Sequence, residues 1–126
     1  MTISLEPVRA YDQAYMEIRV EGVNPRVSLE FPVITTVLRR LDSKKIKFFE
    51  ITPKKRGFYS FNQYRLIFED ETELKIGVVD QRTIYLHVSM LKGKPREFLD
   101  KVLESLVKEL ETVHESFLQI LKTGDC

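Results

Sequence analysis

The sequence predicts an α+β protein: an antiparallel sheet of about four to five strands, a short helix after the first strands, and a long C-terminal helix ending in a leucine-zipper-like segment. Three observations carry this reading. Met16, Ile18 and Val20 alternate with Glu17, Arg19 and Glu21; residues 58–90 contain three apolar runs parted by two short polar turns; and from Pro95 onward leucines recur at helical spacing.

Each element has its own local cause. The alternation at 16–21 is that of a half-buried strand with its even-numbered side toward the core, ended by the turn Gly22-Val23-Asn24-Pro25. Pro32 suits a first helical turn, and Val33, Ile34, Val37, Leu38 and Leu41 after it share one face, which predicts a helix over 32–42. Residues 45–52 follow as a strand, with Phe48 and Ile46 expected inward and Phe49 and Lys47 outward, leading into a loop at 53–57. In the three-strand run, Asp70-Glu71-Thr72 and Asp80-Gln81-Arg82 are the expected turns. Symmetric loops would align Tyr64 with Val78 and Ile84, Leu66 with Ile76 and Leu86, and Phe68 with Leu74 and Val88, all apolar or aromatic. The opposite face then carries Arg65, Gly77 and Tyr85 in one row and Ile67, Lys75 and His87 in another, because a slip of one residue would bury Lys75 and Arg65.

The last element runs from Pro95 toward Gly124, since proline is tolerated in a first turn and glycine just beyond a helix end. Leu99, Leu103, Leu106, Leu110, Val113, Phe117 and Ile120 are spaced alternately four and three apart, a heptad seam over about three heptads. A helix of this length spans on the order of 40 Å, whereas an eight-residue strand spans roughly 27 Å. The stretch from Leu99 to Leu106 is therefore expected on the protein's own sheet, and the distal half against another copy in a dimer or tetramer.

A chain of 126 residues with 43% apolar content supplies one core, so a single domain is expected, sheet and short helix at 1–93 and oligomerisation helix at 94–123. The only cysteine is Cys126, which excludes a disulfide framework and a zinc pattern and suits the cytoplasm. No run approaches the roughly eighteen apolar residues of a membrane span, and the opening MTISLEPVRAYD lacks the basic and apolar regions of a leader. High Lys and Glu with few amides leans toward a thermophile. The net charge of +1 conceals a segregation: nine Lys or Arg from Arg39 to Arg65 face only Asp42 and Glu50, while residues 97–115 carry six acidic side chains against Lys101 and Lys108. A basic segment of that kind attracts polyanions.

Catalytic patterns are missing. The two histidines, His87 and His114, have no His or Cys partner nearby, the acidic turn Glu69, Asp70, Glu71, Glu73 reads as solvated, and no phosphate loop, serine elbow or dinucleotide fingerprint occurs. The expectation is a protein that is not an enzyme and uses no cofactor or metal. What stands out is the interleaving of cations and rings in KKIKFFEITPKKRGFYSFNQYR, residues 44–65. Cations neutralise phosphates, and aromatic rings stack on any base. Phosphate contacts are expected from Lys47, Lys54, Lys55, Arg56, Arg65 and Lys75, stacking from Phe49, Tyr59, Phe61 and Tyr85, and a stack or hydrogen bond from His87. Gly77 would either let a base approach the backbone or mark a bulge.

This combination of antiparallel sheet, basic and aromatic surface and zipper-like seam from Leu99 to Ile120 resembles the archaeal ThermoDBP and ThermoDBP-related proteins. The resemblance covers the whole chain as an architecture and implies non-catalytic binding of single-stranded DNA, or in some relatives RNA. No family binding residue maps onto a motif here, so the residues named above rest on parity and charge. Two other classes fit the same element order: a helix-grip carrier of small apolar ligands, and a protein-interaction adaptor using the zipper.

Overall fold

The computed structural model describes residues 12–21, 28–41, 46–80, 82–114 and 117–125. Its elements in chain order are β1 (Asp12–Glu21), α1 (Glu30–Arg40), β2 (Ile46–Arg56), β3 (Tyr59–Phe68), β4 (Glu73–Val78), β5 (Thr83–Met90), α2 (Pro95–His114) and β6 (Phe117–Asp125). All six strands form one antiparallel sheet in the order β2-β3-β4-β5-β1-β6. The fold is the expected α+β arrangement, with a short helix after the first strand and a longer helix toward the C-terminus.

Strand alternation assigns the two faces. Ala14, Met16, Ile18 and Val20 from β1 join Leu66, Phe68, Leu74, Ile76, Ile84, Leu86 and Val88 on one side, all at most 1% exposed. Both helices cover that side. Val33 and Val37 of α1, Leu99, Val102 and Leu106 of α2, and Leu29 and Leu41 at the ends of α1 complete the core, with Leu103 packed against it. Full burial of each such aliphatic side chain stabilises the fold by about 1.5–3 kcal/mol relative to exposure. The expected parity of β1, β3, β4 and β5 and the docking of the 99–106 stretch on the protein's own sheet are thus what the chain adopts. Helix α1 starts two residues earlier than its proline suggests; Leu29 precedes it without a side-chain cap.

Several details differ from expectation. The β4–β5 hairpin has the expected register, with Asp80 Oδ1 accepting from the backbone N–H of Arg82 and Thr83 across its turn. The β3–β4 hairpin is shifted by two: Leu66 opposes Leu74 and Arg65 opposes Lys75. Its loop is Glu69-Asp70-Glu71, closed by Phe68 N–H donating to the Thr72 carbonyl and Glu71 N–H to the Phe68 carbonyl. Glu71 takes φ 69° to close it, the left-handed conformation that three-residue hairpins place at this position. A shift of two keeps every side chain on its face and changes only its neighbours, so the open-face rows are Gln63, Gly77, Tyr85 and Arg65, Lys75, His87.

Residues 53–56, expected as a loop, continue β2, and only Gly57 (φ 61°) and Phe58 form the turn to β3. Pro53 is tolerated because β2 is an edge strand and the missing N–H costs no ladder bond there. An irregularity between Ile46 and Phe48 reverses the expected facing of the two phenylalanines. Phe49 opposes Leu66 on the helix side, and Phe48 opposes Ile67 on the open side.

The C-terminal helix ends at His114 rather than near Gly124. Phe117 and Ile120 lie on β6, where Ile120 opposes Ile18 of β1, so the heptad seam is not one continuous helical surface. A β-branched, aromatic-containing run can satisfy either period, and pairing with the free edge of β1 decides for a strand. Of the other seam residues, Leu99 and Leu106 are wholly buried within the chain, while the side chains of Leu110 and Val113 lie outside those described.

Candidate nucleic-acid interface

The face of the sheet opposite the helices carries polar and aromatic rows running across the strands. One row is Glu50, Arg65, Lys75, His87, Tyr15; the next is Thr52, Gln63, Gly77, Tyr85, Glu17. This face is concave. Pairing between β3 and β4 stops at Gln63, so the tip of the β2–β3 hairpin outruns β4. On a flat sheet β2 and β1 would stand about 19 Å apart, four strand spacings, more than two side chains can bridge. Yet Arg56 Nη1 lies 2.9 Å from Glu17 Oε1. The hairpin tip therefore curls across the open face toward β1, in the sense that sheet twist and coiling favour.

Four contacts hold that curl. Arg56 pairs with Glu17, which also accepts from the Tyr15 hydroxyl. The Arg56 guanidinium sits 5.6 Å from the centre of the Tyr85 ring, and Phe61 meets the same ring edge-on at 5.8 Å. Tyr85 Oη donates to Gln63 Oε1 at 2.8 Å. Beneath the ring is Gly77: a Cβ there would stand 2.3 Å from Tyr85 Cε1. Gly77 is thus a seat for Tyr85 and not for a base, and Tyr85, 7% exposed, has both ring faces occupied. Burial pushes the Tyr85 hydroxyl up to about 12, and burial with the hydrogen bond to Glu17 does the same for Tyr15.

A depression of about 420 Å³ opens between the curled hairpin and the sheet floor, lined by Tyr15, Lys54, Lys55, Arg56, Phe61, Gln63, Lys75, Tyr85 and His87. No carboxylate lines it. Lys54 and Lys55 have no acidic partner among the described residues. Lys75 shares Glu73 with Arg65, at 3.5 and 2.9 Å, and Arg65 also lies 5.6 Å from the centre of the Phe48 ring. His87 Nε2 donates to Gln13 Oε1 at 3.0 Å, and its Nδ1 is buried without a partner among the described residues. Burial first, then the neighbouring Lys75, hold the His87 imidazole below its usual pKa, against a smaller opposing influence from Glu73.

Of the residues singled out in the sequence, Lys54, Lys55, Arg56, Phe61, Lys75, Tyr85 and His87 meet around this depression, and Arg65 stands beside Lys75 in the same row. Tyr59 is 54% exposed opposite Arg56 at the hairpin end. Two are elsewhere: Phe49 is on the helix side, its ring 6.2 Å from that of Tyr64, and Lys47 sits at the β2 irregularity, paired with Glu71 at 3.0 Å. Four site residues were missed. Tyr15 was legible from β1 parity, since even positions inward put Tyr15 outward. Phe48 required the strand irregularity, Phe58 is wholly exposed in the turn, one residue beyond the loop expected at 53–57, and Glu17 required the curl. Among the described residues no group of three or more His, Cys, Asp or Glu could hold a metal ion, and no helix is long and apolar enough to cross a membrane.

No family model and no curated protein matches this chain. Among solved structures, the adenosylmethionine decarboxylase from Aquifex aeolicus VF5 is similar at a TM-score of 0.49 and 5% identity, covering 90% of each chain.

Proposed function

We propose that this protein binds single-stranded DNA or RNA with little sequence preference, on the concave sheet face and the β2–β3 hairpin that curls over it. The observation that supports this most directly is a depression free of carboxylates and lined by Lys54 and Lys55, which have no acidic partner among the described residues, on a hairpin that also carries exposed rings at Phe48, Phe58 and Tyr59. Exposed rings stack on bases of any identity, and lysines follow the phosphates. A duplex would not present its base faces to these rings. Stacking is assigned to Phe58, Tyr59 and Phe48 in place of Tyr85 and Phe49, since Tyr85 is enclosed and Phe49 faces the helices.

The test is fluorescence anisotropy of a labelled oligothymidine at low and moderate salt, with duplex of equal length as competitor. Binding that weakens steeply with salt and resists the duplex supports the reading; no binding at low salt refutes it. A protein-interaction role is favoured by a separate observation, the exposed Ile46, Phe49 and Ile51 on the helix side of the edge strand β2. In that case the apolar strip, and not the concave face, would be protected when a partner is present.

A further inference from the structure

We infer that the concave depression is a seat for a phosphomonoester, held between Lys75, His87 Nδ1 and the lysines of the hairpin, so that a strand is bound preferentially by a phosphorylated end. The inference rests on the nucleic-acid reading above when the ligand is a strand, and stands without it when the ligand is a free nucleotide.

Three features of the depression point to a terminal phosphate. The first is closure. The Arg56–Glu17 bridge spans from the hairpin tip to β1, so a strand lying along the trough from the Glu73 side meets that bridge and cannot run on past it. A chain terminus fits such a blind end better than a continuous backbone. The second is the orphaned nitrogen. A buried polar atom without a partner is uncommon and calls for a cause, and His87 Nδ1 is the one such side-chain atom among the described residues. Lys75 is its cross-strand neighbour on β4, so an oxygen acceptor placed over this row meets the Lys75 ammonium and, once the imidazole is protonated, His87 Nδ1. The third is charge. A phosphomonoester carries close to two negative charges at neutral pH, against one for a diester, and the surrounding cations exceed what one diester would balance.

The charged groups facing His87 have opposite effects on it. On β4, Lys75 disfavours its protonation and Glu73, already engaged by Arg65 and Lys75, favours it. On β1, Gln13 holds Nε2, while the Tyr15 hydroxyl is turned to Glu17. Across the trough stand Lys54, Lys55 and Arg56 of β2. An anion seated against Nδ1 adds the missing counter-charge, so its binding takes up a proton at His87 and strengthens as pH falls from 8 toward 6.5. A proton on Nδ1 then donates to a phosphate oxygen while Nε2 continues to donate to Gln13.

The experiment compares three probes at pH 6.5 and pH 8: an oligothymidine without end phosphates, the same oligothymidine carrying a 5′-phosphate, and thymidine monophosphate. The 5′-phosphorylated strand is expected to bind about tenfold more tightly at pH 6.5, the scale of one charge-assisted hydrogen bond, with a smaller margin at pH 8. His87→Gln and Lys75→Gln should each abolish the margin, read as the ratio of the two strands' affinities for the same variant, and the His87 imidazole proton resonance should titrate at higher pH when thymidine monophosphate is present. Equal affinity for both strands in a protein that binds them well overturns the phosphate seat but not the nucleic-acid reading. Binding of thymidine monophosphate, lost in His87→Gln, without binding of either strand would overturn the nucleic-acid reading and keep the seat. Binding of no probe overturns both.

Discussion

Replacing Gly77 with alanine is the sharpest test of how the concave face is built. The added Cβ would stand 2.3, 2.7 and 2.9 Å from Cε1, Cζ and Oη of Tyr85, so the ring must leave its seat, because β4 is an interior strand whose backbone is paired on both sides. Displacing the ring breaks the hydrogen bond to Gln63, worth about 1 kcal/mol, and the edge contact with Phe61, worth about 0.5–1.5 kcal/mol. It also exposes part of an aromatic side chain and misplaces Arg56, at the roughly 1–3 kcal/mol typical of overpacking. Alanine recovers about 0.5–1 kcal/mol because glycine loses more backbone freedom in a strand. The net expectation is a destabilisation of about 1.5–5 kcal/mol, read from the urea midpoint at unchanged slope. The same substitution made in a Tyr85→Ala background should be neutral or stabilising, which isolates the coupling between the two positions. If Gly77→Ala costs less than about 0.5 kcal/mol in the otherwise unchanged protein, the ring is not seated on the glycine and the account of this face fails.

Three further outcomes are expected. Leu106→Ala should lower stability by about 2–5 kcal/mol, since it removes a wholly buried side chain between α2 and the sheet; a smaller loss in chemical denaturation would mean that the helix docks loosely. For nucleic-acid binding, Lys54→Ala with Lys55→Ala should reduce the slope of log affinity against log salt by about 1.4, two phosphate contacts at about 0.7 each, whereas Phe58→Ala with Tyr59→Ala should weaken binding while leaving that slope in place. In alkaline titration followed by ultraviolet absorbance, Tyr15, Tyr64 and Tyr85 should ionise only near pH 12. Because their folded values lie above the unfolded 10, their contribution to stability is complete below pH 10 and is lost as pH rises from 10 through 12; a midpoint of unfolding unaffected across that interval would contradict their burial.

What the sequence disclosed and what it concealed divide along physical lines. Facing was legible, because a strand that buries one side must alternate, and Met16, Ile18, Val20, Leu74, Ile76, Ile84 and Leu86 allow one parity only. Pairing offset was less so. A shift of two between β3 and β4 preserves facing, and nothing in Glu69-Asp70-Glu71-Thr72 announces that Glu71, a non-glycine, adopts the left-handed conformation that moves the loop by one residue. The end of α2 was misjudged for a related reason. Leucine spacing describes which residues share a face if the segment is helical, and it carries no information about the unpaired edge of β1 that recruits Phe117–Asp125 as a strand. The site was half legible. Its basic and aromatic residues are adjacent in sequence and could be found there, but the curl that brings Arg56 to Glu17, and with it the blind end of the trough, is a property of the whole sheet. The enclosure of Tyr85 followed from the same curl and removed the ring that parity alone had favoured for stacking.

The position of β1 has a consequence for how the chain reaches this structure. Ile18 is opposed on one side by Ile84 and on the other by Ile120, so β1 acquires these two neighbours only after about 65 and 100 further residues have been made. Contacts of such long sequence separation slow folding, because loop closure must precede the gain from pairing. The β2–β3–β4–β5 meander, whose turns are local, can form first and offer β5 as a template. During synthesis β1 would meanwhile be a strand with one apolar face and two open edges.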